Sequence, residues 1–487
     1  MTLYISGHAY HYEFENICRL FFPHEKINVV YTSSNDLLYV SAVLKGNTFF
    51  ASVKAHDFYD EVTFEDYSIN GREQEHALSR VLFNLLSKYT GFAPKWGIVT
   101  GVRPVKLLRL VLDEVKTTDK AREYFLNNFL VSEQKTDLAI ETIAHEESII
   151  KNSSLNSYSL YISIPFCPTR CDYCSFVSQS IEKSHKLIDE YVPMLIKELE
   201  AIAQNVNKFP LKLETVYMGG GTPTTLSAAQ LSEILDAVRK NFDVSNFKEF
   251  TVEAGRPDTI TKEKLKAIKN AGVTRISINP QTFNDKVLEN IGRKHTKSDT
   301  INAYNLAVTE GFKNINTDII AGLPGDTPES FANTVDHILL LNPQSITVHT
   351  LSLKRSSNLV MSGDADYRAV DKNTNNMLDY AQKELKKDGY YPYYLYRQSR
   401  TVGNLENVGW CKPSFEGLYN VYIIDETHTI LAVGAGGISK LKQPGGSQIE
   451  RIFNFKLPLE YMKNFDEMIK RKDIIGRFYS AYFKEIQ

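Results

Sequence analysis

Between residues 160 and 348, six apolar, strand-like runs (160–165, 215–218, 249–252, 275–278, 316–320 and 345–348) alternate with five helix-like segments (187–202, 228–238, 262–271, 300–310 and 330–341). Parallel strands need a long crossover between them, usually a helix, whereas antiparallel strands can be joined by a tight turn. The alternation therefore restricts this stretch to a parallel βα sheet, closed as a barrel or doubly wound. The flanks read differently. Residues 37–44 and 48–53 are aromatic and β-branched runs around Lys45-Gly46-Asn47, the pattern of a hairpin. Ala77, Leu78, Val81, Leu82, Leu85 and Leu86 recur at helical spacing, and 118–150 is helical in pattern again. Beyond about 355 the rhythm is lost: a helix-like 377–387 is followed by a Tyr-rich run, 390–396, and a last helical stretch near 457–470. Asn152-Ser153-Ser154-Leu155-Asn156-Ser157 is a polar break suited to a boundary.

Composition narrows the function. The chain has 487 residues, enough for two to four domains at roughly 100–200 residues each. Lys and Arg number 56 against 58 Asp and Glu, so no global basic field exists to hold nucleic acid. Hydrophobic residues at 43% and charged residues at 23% are those of a globular protein, not a disordered one. No run of about 18 apolar residues suggests a membrane helix. The first residues lack a basic region followed by an apolar core, so a cytoplasmic location is expected.

The five cysteines are Cys18, Cys167, Cys171, Cys174 and Cys411. Three of them lie in Cys167-Pro-Thr-Arg-Cys171-Asp-Tyr-Cys174, directly after the first barrel-type strand, a metal-site pattern rather than a disulfide framework. Three thiolates leave one coordination position open, which suits a metal that binds substrate or cofactor. The alternative is a zinc loop with a distant fourth ligand, or three unrelated thiols.

Cys-x3-Cys-x-Tyr-Cys after the first strand of a βα repeat resembles the radical S-adenosylmethionine superfamily. More narrowly, Tyr161-Ile-Ser-Ile-Pro-Phe-Cys167 resembles the oxygen-independent coproporphyrinogen III oxidase family. Trp96-Gly-Ile-Val-Thr-Gly-Val-Arg-Pro-Val-Lys106, within the long segment before 155, is similar to the long-form coproporphyrinogen dehydrogenase branch. The fold this implies is α/β: a partial (β/α)6 radical SAM barrel over 156–355, an N-terminal α+β domain over 1–155 and a C-terminal mixed domain over 356–487.

The resemblance also implies the cofactors. Cys167, Cys171 and Cys174 would hold a [4Fe–4S] cluster whose open iron chelates S-adenosylmethionine. Met218-Gly219-Gly220-Gly221-Thr222-Pro223-Thr224 ends the second strand, and the family assigns Gly220, Gly221 and Thr222 to the methionyl amino group. Glu253, ending the third strand, becomes a ligand for the same cofactor, although the family's Glu-x-Asn-Pro or Glu-x-Asp-Pro reads Glu253-Ala-Gly-Arg-Pro257 here. Gln281 and Arg293 carry over to its ribose and carboxylate region, and Asp318 to its ribose hydroxyls. His349 and Ser352 follow the sixth strand near the adenine; Ile438, after a Gly-rich loop, lies by the adenosyl pocket. Tyr161 and Tyr173 complete the expected contacts.

The implied activity is oxidative decarboxylation of coproporphyrinogen III propionates to vinyl groups, in porphyrin and haem biosynthesis. A 5′-deoxyadenosyl radical would take a hydrogen atom from a propionate β-carbon. The partners implied are a tetrapyrrole substrate and a small electron-donor protein such as flavodoxin or ferredoxin, with the chain a monomer. Arg103, Lys106, Lys354, Arg355 and Arg397 are candidate propionate-binding cations. Two positions depart from the decarboxylating pattern: Phe176 replaces a fourth Cys, and Ser163 replaces a His. Phe176 is the pattern of relatives that carry haem. A haem chaperone and an anaerobic radical haem ring-opening methyltransferase therefore stand as alternatives.

Overall fold

The structure, a computed structural model, describes every residue except 24, 33–35, 56–57, 68–70, 175, 177, 246, 354–366 and 485–487, and no side chains at 182–185 or 367–369. The chain groups into two compact units, one of Met1–Ile143 with Leu395–Glu406, the other of Ala144–Tyr394 with Asn407–Gln487.

In the first unit, β1 (Thr2–Ser6), β2 (Asn28–Val30), β3 (Leu38–Lys45), β4 (Thr48–Ala55) and β5 (Phe58–Glu65) form one sheet in the order β2-β1-β3-β4-β5. The expected hairpin is β3–β4, turning at Gly46, whose φ of 60° a glycine adopts without strain. Burial alternates along β4, so that Phe49, Ala51, Val53 and Ala55 are buried. The helix Gly71–Thr90 presents Leu78, Leu82 and Leu86 at intervals of four, all fully buried.

In the second unit, β6 (Ser157–Ile164) is followed by the short pair β7 (Phe166–Cys167) and β8 (Gln179–Ser180). The large sheet then adds β9 (Lys212–Gly220), β10 (Glu249–Glu253), β11 (Arg275–Ser277), β12 (Ile315–Ala321) and β13 (Ser345–Thr350). These five and β6 run parallel in the order β6-β9-β10-β11-β12-β13, each step crossed by a helix. This is the parallel βα arrangement expected from the alternation, with the six strands that the family resemblance implies.

The rhythm breaks beyond 355 because the later strands extend both edges of the same sheet. β14 (Tyr391–Arg397) and β15 (Glu406–Cys411) lie beyond β13, with β15 antiparallel to it. β16 (Thr429–Val433) joins β6 in parallel, and β17 (Ile438–Lys442) and β18 (Ile449–Phe453) follow antiparallel. The helical stretch near 457–470 is two helices, Pro458–Lys463 and Phe465–Arg471, broken at Asn464, whose φ of −110° and ψ of 32° are not helical.

Period 2 divides the parallel strands into two faces. Val216, Met218, Phe250, Val252, Ile276 and Ile315 enter the core beneath the covering helices. Tyr217, Glu253, Arg275, Ser277, Asn316 and Asp318 alternate with them on the other face. That face is polar and largely closed to solvent, so its groups must satisfy one another. Arg275, 2% exposed, donates through Nη2 to Asn316 Oδ1 at 3.0 Å and Ser345 Oγ at 2.8 Å. Asn316 Nδ2 in turn donates to Ser277 Oγ at 3.0 Å and Asp318 Oδ1 at 2.7 Å.

Candidate functional site

The cysteine loop leaves β7 at the C-terminal ends of the parallel strands, the face on which barrels of this kind build their sites. Asp172 N donates to Ile291 O at 3.1 Å and Thr169 Oγ1 to Gly292 O at 3.2 Å, which ties the loop to the Ile291-Gly292-Arg293 motif. Cys167, Cys171 and Cys174 are free thiols. Among the described residues, no three His, Cys, Asp or Glu side chains close on one point as a ready-made single-ion site.

Thr222 and Arg256 are among the side chains that address the sulfurs. Thr222 Oγ1 donates to Cys167 Sγ at 3.5 Å. Arg256 Nη1 donates to Cys171 Sγ at 3.6 Å and to Thr169 Oγ1 at 3.2 Å, while Nε and Nη2 each donate at 2.9 Å to the two carboxylate oxygens of Asp258. The guanidinium is 3% exposed. Read in the sequence only as a departure from Glu-x-Asn-Pro, Arg256 is thus a buried, oriented cation against one of the three thiols.

The glycine run permits close backbone approach. Gly221 N donates to Ile164 O at 2.8 Å and Thr222 N to Phe166 O at 2.7 Å. A Cβ on Gly221 would fall 2.5 Å from Phe166 O, and Gly220 takes a φ of 108° that L side chains rarely adopt. A Cβ on Gly219 would lie 2.8 Å from Glu253 Cδ, which brings the ends of β9 and β10 together.

Glu253 accepts from Tyr217 Oη at 2.5 Å. Burial raises its carboxyl to about 7; the Tyr217 hydrogen bond opposes that rise and the charge of Asp318 adds to it. Tyr217 lies directly opposite Tyr161 in the β6–β9 ladder, and Tyr419 stacks on Tyr217 with ring centroids 4.5 Å apart. Tyr217 and Tyr419 were not singled out in the sequence. The signal for Tyr217 was its period-2 position before Gly219, whereas Tyr419 arrives from a remote helix.

At Asp318, burial favours the neutral acid. The hydrogen bond and charge of His349, 3.7 Å away, and the Asn316 amide outweigh it and hold the group below its ordinary value. Gln281 sits beside Asp318: its N–H donates to Asp318 O at 3.0 Å, and Ile320 N–H donates to its carbonyl at 3.0 Å. Its φ of 69° is left-handed, which costs a non-glycine residue about 1–2 kcal/mol. Its buried Oε1 has no hydrogen-bond partner among the described residues. Arg293 donates through Nη1 to Asn279 O at 2.7 Å and through Nη2 to Tyr173 Oη at 2.9 Å. Burial, then the charges of Arg293 and Arg256, push the neighbouring His295 down to about 3, so it stays neutral.

Ser163 Oγ donates to Ala435 O at 2.8 Å, and Tyr191 Oη donates to Ser163 O at 2.9 Å while accepting from Ala435 N at 2.8 Å. Glu198 accepts from Gly434 N at 2.7 Å and pairs with Lys472 at 2.6 Å, both side chains fully buried. The Gly-rich loop before Ile438 is therefore clamped to β6.

The structure thus joins Cys167 to Thr222, Tyr161 to Tyr217, Tyr217 to Glu253, Gln281 to Asp318, and Arg293 to Tyr173. Ile438, 39% exposed, starts β17, and Ser352 lies just beyond the end of β13. Phe176 is 59% exposed. Of the candidate propionate cations, Lys354 and Arg355 lie outside the described residues. Arg397 is buried and donates to Val99 O, with its guanidinium 5.7 Å from the centroid of the Trp96 ring. The sequence reading of Arg397 as a substrate cation is corrected by that geometry: its charge anchors a backbone turn.

Residues 161–338 match the model of the radical SAM superfamily. The chain is 37% identical over 404 residues to the oxygen-independent coproporphyrinogen-III oxidase-like protein HemZ of Bacillus subtilis, covering 82% of this chain and 81% of that protein. It is 34% identical to the heme chaperone HemW of Lactococcus lactis over 57% of this chain and 69% of that one. The structure of coproporphyrinogen III oxidase (HemN) from Escherichia coli superposes with a TM-score of 0.52 at 24% identity, over 66% of this chain and 72% of that one, a likeness of fold.

Proposed function

The chain belongs to the radical SAM superfamily, among the oxygen-independent coproporphyrinogen III oxidase-like proteins, and from that premise we propose that it oxidatively decarboxylates coproporphyrinogen III. The family's cofactors are a [4Fe–4S] cluster and S-adenosylmethionine. The residues present fit them. Three free thiols stand on one loop, a glycine cradle admits a close backbone contact, and the Gln281 amide oxygen is buried with no protein partner among the described residues. That last atom, held on a left-handed backbone, is the observation that carries the cofactor part of the reading: backbone strain beside a buried amide oxygen supports a ligand on this face.

In this reading Cys167, Cys171 and Cys174 hold the cluster, and Arg256 and Thr222 orient two of the sulfurs. Glu253, positioned by Tyr217, receives the cofactor's amino group beside the Gly220–Gly221–Thr222 backbone. Asp318, supported by Asn316 and His349, receives the ribose hydroxyls. Gln281 and Arg293 bound the carboxylate and ribose region, Tyr161 and Tyr173 wall the site, and Ser352 and Ile438 border the adenosine. When bound, these cofactors supply one-electron hydrogen abstraction; the barrel supplies orientation and a largely closed, polar interior. Each reacting propionate would give up one β-hydrogen atom to the cofactor-derived radical, then carbon dioxide and one further electron to an acceptor, which leaves a vinyl group. A small electron-donor protein and a monomeric state complete the proposal.

The exposed Phe176, in place of a fourth cysteine, favours a second reading, a haem carrier. Anaerobic turnover with coproporphyrinogen III separates the two. The first reading requires consumption of S-adenosylmethionine with release of carbon dioxide and appearance of vinyl product. Cleavage of the cofactor with unchanged coproporphyrinogen and tight haem binding overturns it in favour of the carrier.

A further inference from the structure

A cation buried deep on the polar face of the parallel sheet has no part in the chemistry above. Arg275 begins β11 and is 2% exposed. Burial works against its charge, and the fields of Tyr393 and Glu249 sustain it. Its Nη2 donates to neutral oxygens: Asn316 Oδ1 at 3.0 Å, Ser345 Oγ at 2.8 Å and Tyr393 Oη at 3.5 Å. The backbone closes over Nη1, since a Cβ on Gly417 would fall 2.3 Å from it. A guanidinium enclosed in this way has little room to turn.

Strand register sets its neighbours. Asn316 on β12 lies opposite Ser277 of β11 and Ser345 of β13, and Asp318, two residues on, shares its face and lies opposite Thr347. Asn316 Oδ1 accepts from Arg275 Nη2, from Ser345 Oγ at 3.1 Å and from Thr347 Oγ1 at 3.4 Å. Asn316 Nδ2 donates to Asp318 Oδ1 at 2.7 Å and to Ser277 Oγ at 3.0 Å, and Ser277 Oγ donates onward to Asn279 Oδ1 at 2.5 Å. The line runs outward: Arg275 is 2% exposed, Asn316 6% and the Asp318 side chain 19%.

An amide can present either its oxygen or its nitrogen to a neighbour, and a hydroxyl suits both orientations. Ser277, Ser345 and Thr347 therefore leave the Asn316 amide undecided. Its other two neighbours do not. A guanidinium only donates and an ionised carboxylate only accepts. Turned over, Asn316 would set its NH2 against Arg275 and its oxygen against Asp318, with mismatched groups away from water on both sides. Arg275 thus fixes, from inside, the direction of the hydrogen bonds that end on Asp318.

We propose that Arg275 is a positioning residue for cofactor binding: it locks the Asn316 amide, which holds Asp318 by Oδ1 and so orients that carboxylate toward the hydroxyls of a ribose. The proposal rests on the reading of Asp318 as the ribose-binding carboxylate and adds the two residues that make it competent.

The test is anaerobic equilibrium dialysis of S-adenosylmethionine and its 2′,3′-dideoxy analogue against the full-length, cluster-loaded protein, kept oxidised so that the cofactor is bound but not cleaved. The wild type is expected to prefer the ribose form by about tenfold or more, the scale of a hydrogen bond to a charged group. Asn316→Leu, which lacks the donor, and Arg275→Gln, whose amide can face either way, are each expected to remove most of that preference while affinity for the dideoxy analogue is unchanged. Arg275→Lys, which keeps a group that only donates, is expected to retain it. A preference kept in Asn316→Leu or Arg275→Gln, or lost as fully in Arg275→Lys, overturns the proposal, as does an equal loss of both ligands, the mark of a merely structural role. Asp318→Asn in the same experiment separates the two claims: if it alone abolishes the preference, the cofactor reading survives without Arg275, and a wild type with no preference overturns both. Should Arg275→Gln fail to fold, Asn316→Leu beside Arg275→Lys decides.

Discussion

Arg256 points one guanidinium nitrogen at Cys171 Sγ from 3.6 Å, and it is held there by a two-pronged pair with Asp258. A fixed positive charge and a hydrogen bond at a cluster sulfur both favour the more negative, reduced state, because they offset the added electron where solvent cannot. Arg256→Gln in the reconstituted protein is expected to lower the cluster's reduction potential by roughly 60 mV or more, the one-electron equivalent of about 1.4 kcal/mol. Arg256→Lys, which keeps the charge but not the fork, is expected to fall between. Redox titration followed by electron paramagnetic resonance reads both. An unchanged potential in Arg256→Gln removes this role.

Glu253 gives a pH dependence with a definite sign. Its carboxyl is raised to about 7, chiefly by burial, so it is neutral below that pH in the unliganded protein. A neutral carboxyl attracts an ammonium group weakly. Affinity for S-adenosylmethionine is therefore expected to fall as pH drops through about 7, and Glu253→Gln to remove that dependence along with much of the affinity. Because the folded state holds this proton more tightly than the unfolded chain, the group's contribution to unliganded stability declines as pH rises from about 4.5 to 7. Equilibrium binding across pH 6 to 8.5, wild type against variant, checks the prediction; parallel profiles contradict it.

Glu198 and Lys472 form a pair with both side chains fully buried, joined by Asn454 and Tyr461 and by the Gly434 amide. Removing one partner strands a charge away from water. Lys472→Met is expected to cost about 3–5 kcal/mol, and the double change Glu198→Gln, Lys472→Met to recover much of the loss. Urea unfolding measures both. Equal losses in the single and double variants would mean that packing rather than charge dominates there.

His428 is buried against Ser153 and Ser159, and burial pushes it down to about 3. Its folded form therefore stays neutral while the unfolded chain takes up a proton near pH 6.5. Stability is expected to fall as pH drops from about 6.5 toward 3, with His428 contributing up to a few kcal/mol of that fall. His428→Gln should flatten that part of the curve, read as the urea midpoint against pH; an unchanged slope refutes the assignment.

Much of the parallel architecture was legible in the sequence because it depends on local order. Six apolar runs separated by helix-length segments admit few arrangements, and the observed strands β6 and β9–β13 fall on them. The tight Cys167–Cys174 spacing and the Gly219–Gly221 run were legible for the same reason: loop and turn chemistry is written in neighbouring residues. The edge strands β14–β18 were not, since antiparallel pairing at a sheet edge is set by contacts between residues far apart in the chain.

The sequence by itself determined a parallel βα repeat with three thiols at the end of its first strand. Only the tertiary structure decided which charges reach that end. Arg256 and Arg397 are both arginines beside apolar or glycine-rich runs, yet one is turned against Cys171 and the other is consumed by Val99 O beneath Trp96. A side chain's charge is fixed by its chemistry, but its partner is fixed by which backbone the fold brings within hydrogen-bond reach, and that distance is a property of packing rather than of sequence order.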